Sequence, residues 1–289
     1  MKQAKITVIG SVNMDLVTIT KKRPNQGETV LGESFQTIPG GKGANQAVAA
    51  ARLGADVALI GRVGDDSFGQ KLKTHLQSEG VRISEEATVI GKSTGIAAIT
   101  ISEQNNSIIV VPGANGDLTK EFVESHEHRI STSDLIVVQL EIPLETVIFA
   151  IELASKHHVP VILNPAPVQP LTKSVLEKVT YLTPNEHEVK ELNIEGFEQK
   201  VIITQGNKGV IYYENGIEQV VPSFSVDVID TTGAGDAFNA ALAVSLAEGK
   251  ELKDALRYGC AVGALAVTKL GAQSGMPTKE DIEHFLKAR

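Results

Sequence analysis

The run Asp230-Thr231-Thr232-Gly233-Ala234-Gly235-Asp236-Ala237-Phe238 places a glycine-rich turn, a helix start and a carboxylate within one turn of one another. Over 237–247 good helix formers carry apolar residues at helical spacing, so Gly233, Ala234 and Gly235 fall at a helix N-terminus with small side chains and unpaired amides. Those amides and the positive end of the helix dipole bind an anion such as phosphate, and the lack of bulk lets a ligand touch the backbone. Asp236 is the odd member. In the first turn of a helix an Asp is often no more than favourable electrostatics. Beside a phosphate site, however, it repels the ligand unless it has a task, and the natural task is to take a proton from a hydroxyl attacking that phosphate. The adjoining glycines and the second acid, Asp230, favour that reading.

Working outward, residues 5–9 are β-rich and stop at Gly10, which predicts a strand whose C-terminal edge delivers Asn13 and Asp15 above a sheet. Asp15 is flanked by apolar residues in S-V-N-M-D-L. A half-buried acid needs a partner: a pair of sugar hydroxyls is one candidate, and a turn-capping pair with Asn13 is the plainer one. Residues 15–20 and 28–38 alternate apolar and polar, as do 94–102 and 107–111, so two separated segments, about 14–39 and 93–112, predict a small second sheet. Pro39-Gly40-Gly41-Lys42-Gly43-Ala44-Asn45-Gln46 opens an Ala-rich helical run to Leu53. Its paired glycines permit a tight turn and close backbone approach, while Lys42 and Asn45 supply charge and directional hydrogen bonds. It is not a P-loop, because Gln36 stands where the first Gly belongs and Gly43 where Ser or Thr belongs; Gly91-Lys92-Ser93 fails likewise at Glu86.

Strands predicted over 57–61, 134–138 and 159–163 alternate with helices over 67–79 and 144–157, implying a parallel sheet covered on both faces, with ligands at the strand C-terminal ends. Glu141 and Asn164 fall at such ends, though Asn164 also suits a turn cap. A helix starting at Thr183-Pro184-Asn185-Glu186-His187-Glu188 would put Asn185 and Glu188 on one face, which suits hydrated Mg²⁺ and phosphate oxygens better than a direct protein cage. Alone, that spacing reads as a helix start with a solvated acid. Residues 210–213 and 217–221 flank Asn215-Gly216, a hairpin signal. A helix over 252–269 is rich in Ala and Gly, so something packs closely on it.

The chain has 289 residues, 42% hydrophobic and 21% charged, enough for one large α/β domain or two small ones. A net charge of −8, from 27 basic against 35 acidic residues, argues against nucleic acid and a basic membrane patch, and with no Trp and 4% aromatics a base-stacking platform is unexpected. The single Cys260 excludes an internal disulfide framework and a thiolate zinc cluster. Residues 6–9 are too short for a signal-peptide core and no run reaches membrane-spanning length, so a cytoplasmic chain is expected. His126, His128, His157 and His158 read as polar helix-end residues rather than metal ligands. The dinucleotide fingerprint of a dehydrogenase is missing, as are the serine-hydrolase elbow and the zincin motif.

D-T-T-G-A-G-D-A-F resembles the signature of the ribokinase-like (PfkB-type) carbohydrate kinases, in which the second Asp is the catalytic base and the small-residue turn the anion hole. The resemblance runs from Asn13 to Gly275 with motifs in the family's order. It implies a three-layer α/β fold with a mainly parallel central sheet, in one domain spanning 1–289, and a small β lid over the sugar that in many relatives is a dimer interface. It implies ATP-dependent phosphorylation of D-ribose at O5, since the full G-G-K-G-A-N string is more typical of ribose-phosphorylating members than of those acting on nucleosides or phosphosugars.

By the same resemblance Asp236 deprotonates the hydroxyl, the amides of Gly233, Ala234 and Gly235 stabilise the transferring phosphoryl, and Asn13, Asp15, Gly41, Lys42, Gly43, Asn45 and Glu141 hold the sugar. Asn185 and Glu188 match an N-x-x-E element that orders Mg²⁺ and its waters. Thr204, Gly206 and Gly209 match a T-x-G-x-x-G element set against the nucleotide, where the glycines let the backbone approach and Lys208 meets a phosphate. Cys260 stands near the nucleotide where a polar residue, often Asn, is usual. Asp230 and the carbonyls of Thr232, Ala266, Lys269 and Gly271 imply a K⁺ site, a large ion suited to carbonyl loops. Its last contact is near Gly275, and the Ser common there is displaced to Ser274. The rival readings are a kinase for another small sugar such as deoxyribose or fructose, and a sugar-binding sensor without catalysis.

Overall fold

The computed structural model describes residues 3–103 and 105–289. The first strand, β1 (Lys5–Ile9), is apolar and β-branched, and Ile6, Val8 and Ile9 are fully enclosed, as expected of a strand inside a parallel sheet. The chain leaves that sheet through β2 (Asn13–Ile19) and β3 (Ser34–Gly40) and returns by α1 (Lys42–Arg52) to β4 (Asp56–Ile60). It continues through β5 (Val63–Gly64), α2 (Ser67–Ser78), β6 (Val81–Ile83) and β7 (Thr88–Val89). A second excursion, β8 (Gly95–Ser102) and β9 (Asn105–Val111), precedes two short helices, α3 (Lys120–Glu124) and α4 (Glu127–Ser131). Then follow β10 (Leu135–Gln139), α5 (Leu144–Lys156), β11 (Val161–Asn164), α6 (Lys173–Lys178), β12 (Tyr181–Leu182) and α7 (Glu188–Glu191). The last third holds β13 (Ile202–Thr204), β14 (Val210–Glu214), β15 (Ile217–Val221), α8 (Ala234–Ala247), α9 (Leu252–Ala266), α10 (Ala272–Gly275) and α11 (Lys279–Lys287).

The central sheet is six-stranded and parallel, ordered β12-β11-β10-β1-β4-β6. The chain first builds outward from β1 towards β6 and then from β10 towards β12. The topological switch point therefore lies between β1 and β10, where the crevice beyond the strand ends accepts a ligand. Helices α1 and α8 pack on each other and on β1 and β10, while α5 packs on β10 from a separate layer with α3, α4 and α6. Buried between α1, the sheet and α9, α8 is apolar almost all round, as a helix enclosed on all sides must be.

The two excursions meet in one four-stranded sheet, β3-β2-β8-β9, as their alternation predicts. Its inner pair, β2 and β8, is parallel and its outer pairs antiparallel. The strand expected from residue 28 starts only at Ser34, because the Glu28 carboxylate takes the Asn25 amide at 3.0 Å and closes a turn. A separate antiparallel sheet, β13-β14-β15, carries the predicted hairpin, with Asn215 and Gly216 at φ 53° and 79°. The helix expected to Lys269 stops at Ala266, and the Val267 carbonyl instead receives the Ile229 and Asp230 amides, at 2.8 and 3.2 Å.

Asp66 joins α2 to the outlying sheet. Its Oδ1 accepts the Gly69 amide at 2.8 Å and the Thr94 hydroxyl at 2.6 Å, and its Oδ2 accepts the Thr94 amide at 2.8 Å. Burial alone would raise its pKa, but the Thr94 hydroxyl and the amides outweigh it and hold the carboxyl below its ordinary 3.8. A lowered folded-state pKa contributes stability that is present above the unfolded value and lost as pH falls through the folded one. Asp66→Ala is expected to lower the unfolding free energy by about 1–3 kcal/mol at neutral pH in urea titrations, a deficit that shrinks in acid.

Candidate active site

At the switch point Ser11, just past β1, donates its hydroxyl to Glu141 Oε2 at 2.5 Å, and the same oxygen accepts the Lys42 amide at 3.1 Å. The site thus ties together the exits of β1 and β10 and the start of α1. Asn13 opens β2 and its Oδ1 accepts from Asn115 Nδ2 at 2.7 Å, while Asn115 also bonds the Val12 amide and carbonyl. Two residues on, Asp15 faces the same way. Its carboxylate lies against Gly40, where an added Cβ would come 2.4 Å from Oδ2.

Asp15, Glu141 and Asp236 surround Lys42. Burial pushes the Asp15 carboxyl up to about 7, the charges of Glu141 and Asp236 add to this, and Lys42 opposes them. For Lys42 burial works to release the proton, but Asp236, Glu141, Glu188 and Asp15 outweigh it and the pKa is raised. The ammonium is therefore the fixed cation of an otherwise acidic pocket.

Asp236 lies in the first turn of α8, 6% exposed. Gly233, the N-cap, has φ 79°, and a Cβ there would come 2.7 Å from the Ala272 Cβ, so only glycine fits. The Ala234 amide reaches the Thr231 carbonyl at 3.3 Å, whereas among the described residues the amides of Gly235 and Asp236 have no acceptor. A Cβ at Gly235 would meet nothing within 4 Å, and both Gly235 and Asp236 line the neighbouring cleft. The Asp236 carboxylate is held from α1: Oδ2 accepts from Asn45 Nδ2 and Oδ1 from Gln46 Nε2, each at 2.9 Å.

From Lys42 and Asp236 a cleft of about 970 Å³ runs past Glu188, Thr204 and Gly206 to Phe224 and Cys260. The Ala- and Gly-rich α9 packs on α8, and a Cβ at Gly259 would come 2.8 Å from the Phe238 ring. Cys260 is buried on this wall and its thiol is pushed up to about 12, so it packs rather than reacts. Two expectations change here. Asn185 and Glu188 do not share a helix face, because Asn185 Oδ1 accepts the His187 and Glu188 amides while Glu188 Oε2 accepts the Asn185 amide at 2.8 Å, a reciprocal cap. Lys208 turns out to Glu186 Oε1 at 3.5 Å and does not line the cleft. Gly209, at φ 105°, lines the cleft and also packs on its neighbour strand, where a Cβ would lie 2.0 Å from the Val221 carbonyl oxygen.

Glu188 keeps its half-buried carboxylate in the cleft, its pKa raised by burial against the Asn185 amide and Lys42. Among the described residues no three His, Cys, Asp or Glu side chains gather as metal ligands. His126 Nδ1 meets the Phe122 carbonyl and His157 caps α5. Asp230 draws the 266–275 segment in, with Oδ2 accepting the Gly271 amide at 2.8 Å and Oδ1 the Thr232 amide at 2.9 Å. Burial would raise its pKa, but the Thr232 and Gly271 donors hold it low, so the carboxylate stays charged among carbonyls. The Ser274 hydroxyl bonds the Gly271 carbonyl at 2.9 Å, and Gly275 lies so close to Ala266 that a Cβ would come 2.0 Å from its oxygen.

Ser11, Gln46, Asn115, Gln139 and Gln273 belong to this constellation and were not singled out in the sequence. Gln46 follows the glycine-lysine string directly, and Gln139 ends the apolar run L-I-V-V, so a polar residue breaking a buried pattern was the available signal. Asn164, a turn-cap candidate, instead bridges Gln46 Nε2 and the Thr183 carbonyl, both at 3.2 Å.

The sequence profile described as pfkB family carbohydrate kinase matches residues 3–279. The ribokinase of Bacillus subtilis is 48% identical over 97% of this chain and 99% of its own length. The crystal structure of ribokinase from Thermotoga maritima covers 98% of this chain and 99% of its own, with a TM-score of 0.88 at 35% identity. Ribokinase of Arabidopsis thaliana, complexed with ribose and ATP, covers 99% of each chain with a TM-score of 0.87 at 30% identity. With a family profile over nearly its whole length and relatives of this identity and coverage, the chain belongs to the pfkB family carbohydrate kinases.

Proposed function

We propose that this chain transfers the γ-phosphoryl group of ATP to the 5-hydroxyl of D-ribose. The observation that carries this reading is Asp236, fixed between an acid-and-lysine pocket on one side and unpaired helix amides with a nucleotide-sized cleft on the other. Ribose lies in the pocket, its hydroxyls donating to Asp15, Glu141 and Asn13, while Lys42, Asn45 and the backbone at Gly41 and Gly43 complete its contacts. Asp236 takes the proton of O5 as that oxygen attacks the γ-phosphorus, the P–O bond to ADP breaks, and the proton stays on the carboxylate. The Gly233 and Gly235 amides, with that of Ala234 once it leaves the long 3.3 Å bond to the Thr231 carbonyl, stabilise charge on the transferring group.

ATP fills the cleft along Asn185, Thr204, Gly206, Gly209 and Cys260. Glu188 is a single carboxylate at the phosphate end, which fits a mostly hydrated Mg²⁺ held through water. That ion would supply positive charge against the ATP phosphates. Asp230 and the carbonyls of Thr232, Ala266, Lys269, Gly271 and Gly275 fit K⁺, with Ser274 steadying the Gly271 carbonyl. When bound it would stiffen the turn before α8 without touching the substrate.

The outlying sheet acts as a lid on a single-domain kinase, since Asn13 and Asp15 belong to its strand β2. On the face of this sheet opposite Asp15, Ile109 of β9 and Phe35 of β3 are 70% and 62% exposed, and with Val111 they supply an apolar surface for a homodimer through the lid. No helix among the described residues is long and apolar enough to cross a membrane, and one buried, unpaired thiol suits a reducing cytoplasm.

ADP release from ATP and Mg²⁺ with ribose, deoxyribose, fructose or adenosine is expected to be ribose-selective and higher in K⁺ than in Na⁺. Ribose binding without ADP release would leave a sensor, and indifference to the cation would remove the K⁺ site. Asp236→Asn is expected to cut kcat by about 10²–10⁴-fold with ribose affinity by calorimetry nearly unchanged, and an active variant would remove the base assignment. Asp15 has a folded pKa of about 7 above its ordinary 3.8, so its contribution to stability is full below 3.8 and is lost as pH rises through 7. Asp15→Asn should therefore weaken ribose binding at least about 10-fold, the loss of a charge-assisted bond, yet gain Tm relative to the parent as pH rises from about 5 to 8. Parallel Tm curves would contradict the burial of that charge.

A further inference from the structure

We infer that Gln46 and Gln273 are positioning residues for Asp236, gripping its two carboxylate oxygens through two hydrogen-bond chains that run in one direction only. The inference rests on the reading of Asp236 as the base and adds what sets that base.

A carboxylate accepts and does not donate, so Asn45 and Gln46 must present N–H groups to it and turn their carbonyls away. Each carbonyl then needs a donor. Asn45 Oδ1 receives Gln273 Nε2 at 2.9 Å, and Gln273 Oε1 faces His75 Nε2 at 2.7 Å, so that ring nitrogen must carry a proton. Gln46 Oε1 receives Gln139 Nε2 at 2.6 Å, and its amide nitrogen also reaches Asn164 Oδ1 at 3.2 Å. Both Gln46 hydrogens and its oxygen are thereby committed. The order is His75 to Gln273 to Asn45 to Asp236 on one side, and Gln139 to Gln46 to Asp236 on the other.

The end of the second chain bears the mark of that direction. Gln139 Oε1 is buried with no hydrogen-bond partner, next to Gly10, because turning the amide over to satisfy it would set oxygen against the Gln46 oxygen. A buried acceptor is left unpaired so that every donor upstream points at Asp236. Gln46, Gln139 and Gln273 are 0%, 0% and 3% exposed, so water does not compete for these bonds. The first chain is also anchored in the backbone: Arg52 Nη1 donates to the carbonyls of Gln273 and Met276, at 2.5 and 2.9 Å, and its Nε and Nη2 both bond Glu79 at 2.8 Å. The charged groups coupled to Asp236 from the other elements are Lys42 on α1 and Asp15 on β2, with Glu141 and Glu188 coupled in turn to Lys42.

Two isosteric variants test the direction itself. Gln46→Glu replaces a donor by a second carboxylate against Asp236. Gln273→Glu cannot donate to Asn45, so Asn45 must turn over and show Asp236 its oxygen. Either change disfavours the charged base, so the acidic limb of the kcat–pH profile should move to higher pH, with kcat at neutral pH down about 10-fold or more. Gln273→Met removes the donor without forcing the reversal and should move the limb less than Gln273→Glu. Ribose binding by calorimetry and thermal melts establish that each variant is folded, and if Gln46→Glu does not fold the two Gln273 variants decide. Folded variants with the parent's kcat and acidic limb, or equal limbs for Gln273→Met and Gln273→Glu, would overturn the inference. An inactive Asp236→Asn alongside such a result would leave the base reading standing, whereas an active one would remove the base reading itself.

Discussion

A carboxylate that is almost wholly enclosed is the constraint on which this molecule is built. Burying a charge is costly unless polar groups replace water around it. Here the replacements come from a different helix: Asn45 and Gln46 on α1 reach across to Asp236 on α8. Those two helices come from opposite ends of the chain, and their packing on each other is what brings the G-G-K-G-A-N string and the D-T-T-G-A-G-D string into one place. The strand order completes the arrangement, since the sheet reverses direction of growth beside β1 and the residues leaving β1 and β10 fall under the same helix ends.

Charge around that centre is graded rather than merely acidic. Lys42 is the cation nearest the acids, and the carboxylates do not all respond alike: burial lifts Asp15 and Glu188, whereas Asp230, bonded by two backbone amides and a hydroxyl, is held low. The difference follows from donors. A carboxylate surrounded by N–H groups keeps its charge, and one facing a pocket must wait for a partner. The helix start at Gly235 shows the complementary state, with unpaired amides beside the cleft where acceptors are wanted.

Much of this was legible in the sequence because it is local. The parallel sheet followed from the spacing of apolar runs, the hairpin from Asn215-Gly216, and the turn before α8 from its glycines. The outlying sheet was also visible, from alternation in two distant segments, although alternation could not show that β2 and β8 pair in parallel. Less legible were features set by competition between partners. The N-x-x-E spacing suggests a helical face, yet the Asn185 side chain takes the orphan first-turn amides of His187 and Glu188 and so caps the helix instead of standing on it. Lys208 is drawn off by Glu186, and Gly209 is required by a neighbouring carbonyl as well as lining the cleft. The glutamines around Asp236 were the least visible, because a single polar residue in an apolar run looks the same whether it is spent on a turn or on a carboxylate over 100 positions away, as Gln46 is.

The short link between β1 and β2 carries a consequence for which changes in length the fold can absorb. Gly10, Ser11 and Val12 are all that separate a strand of the central sheet from a strand of the outlying one. Side chains alternate along a strand, so Asn13 and Asp15 share a face by parity. One residue gained or lost in this link would either slip β2 by one place against β3 and β8, which inverts that parity, or shift the whole strand end relative to Lys42. The stretch from 20 to 33, exposed and between strands, has no such arithmetic, and related chains can differ in length there while the three-residue spacer must stay as it is.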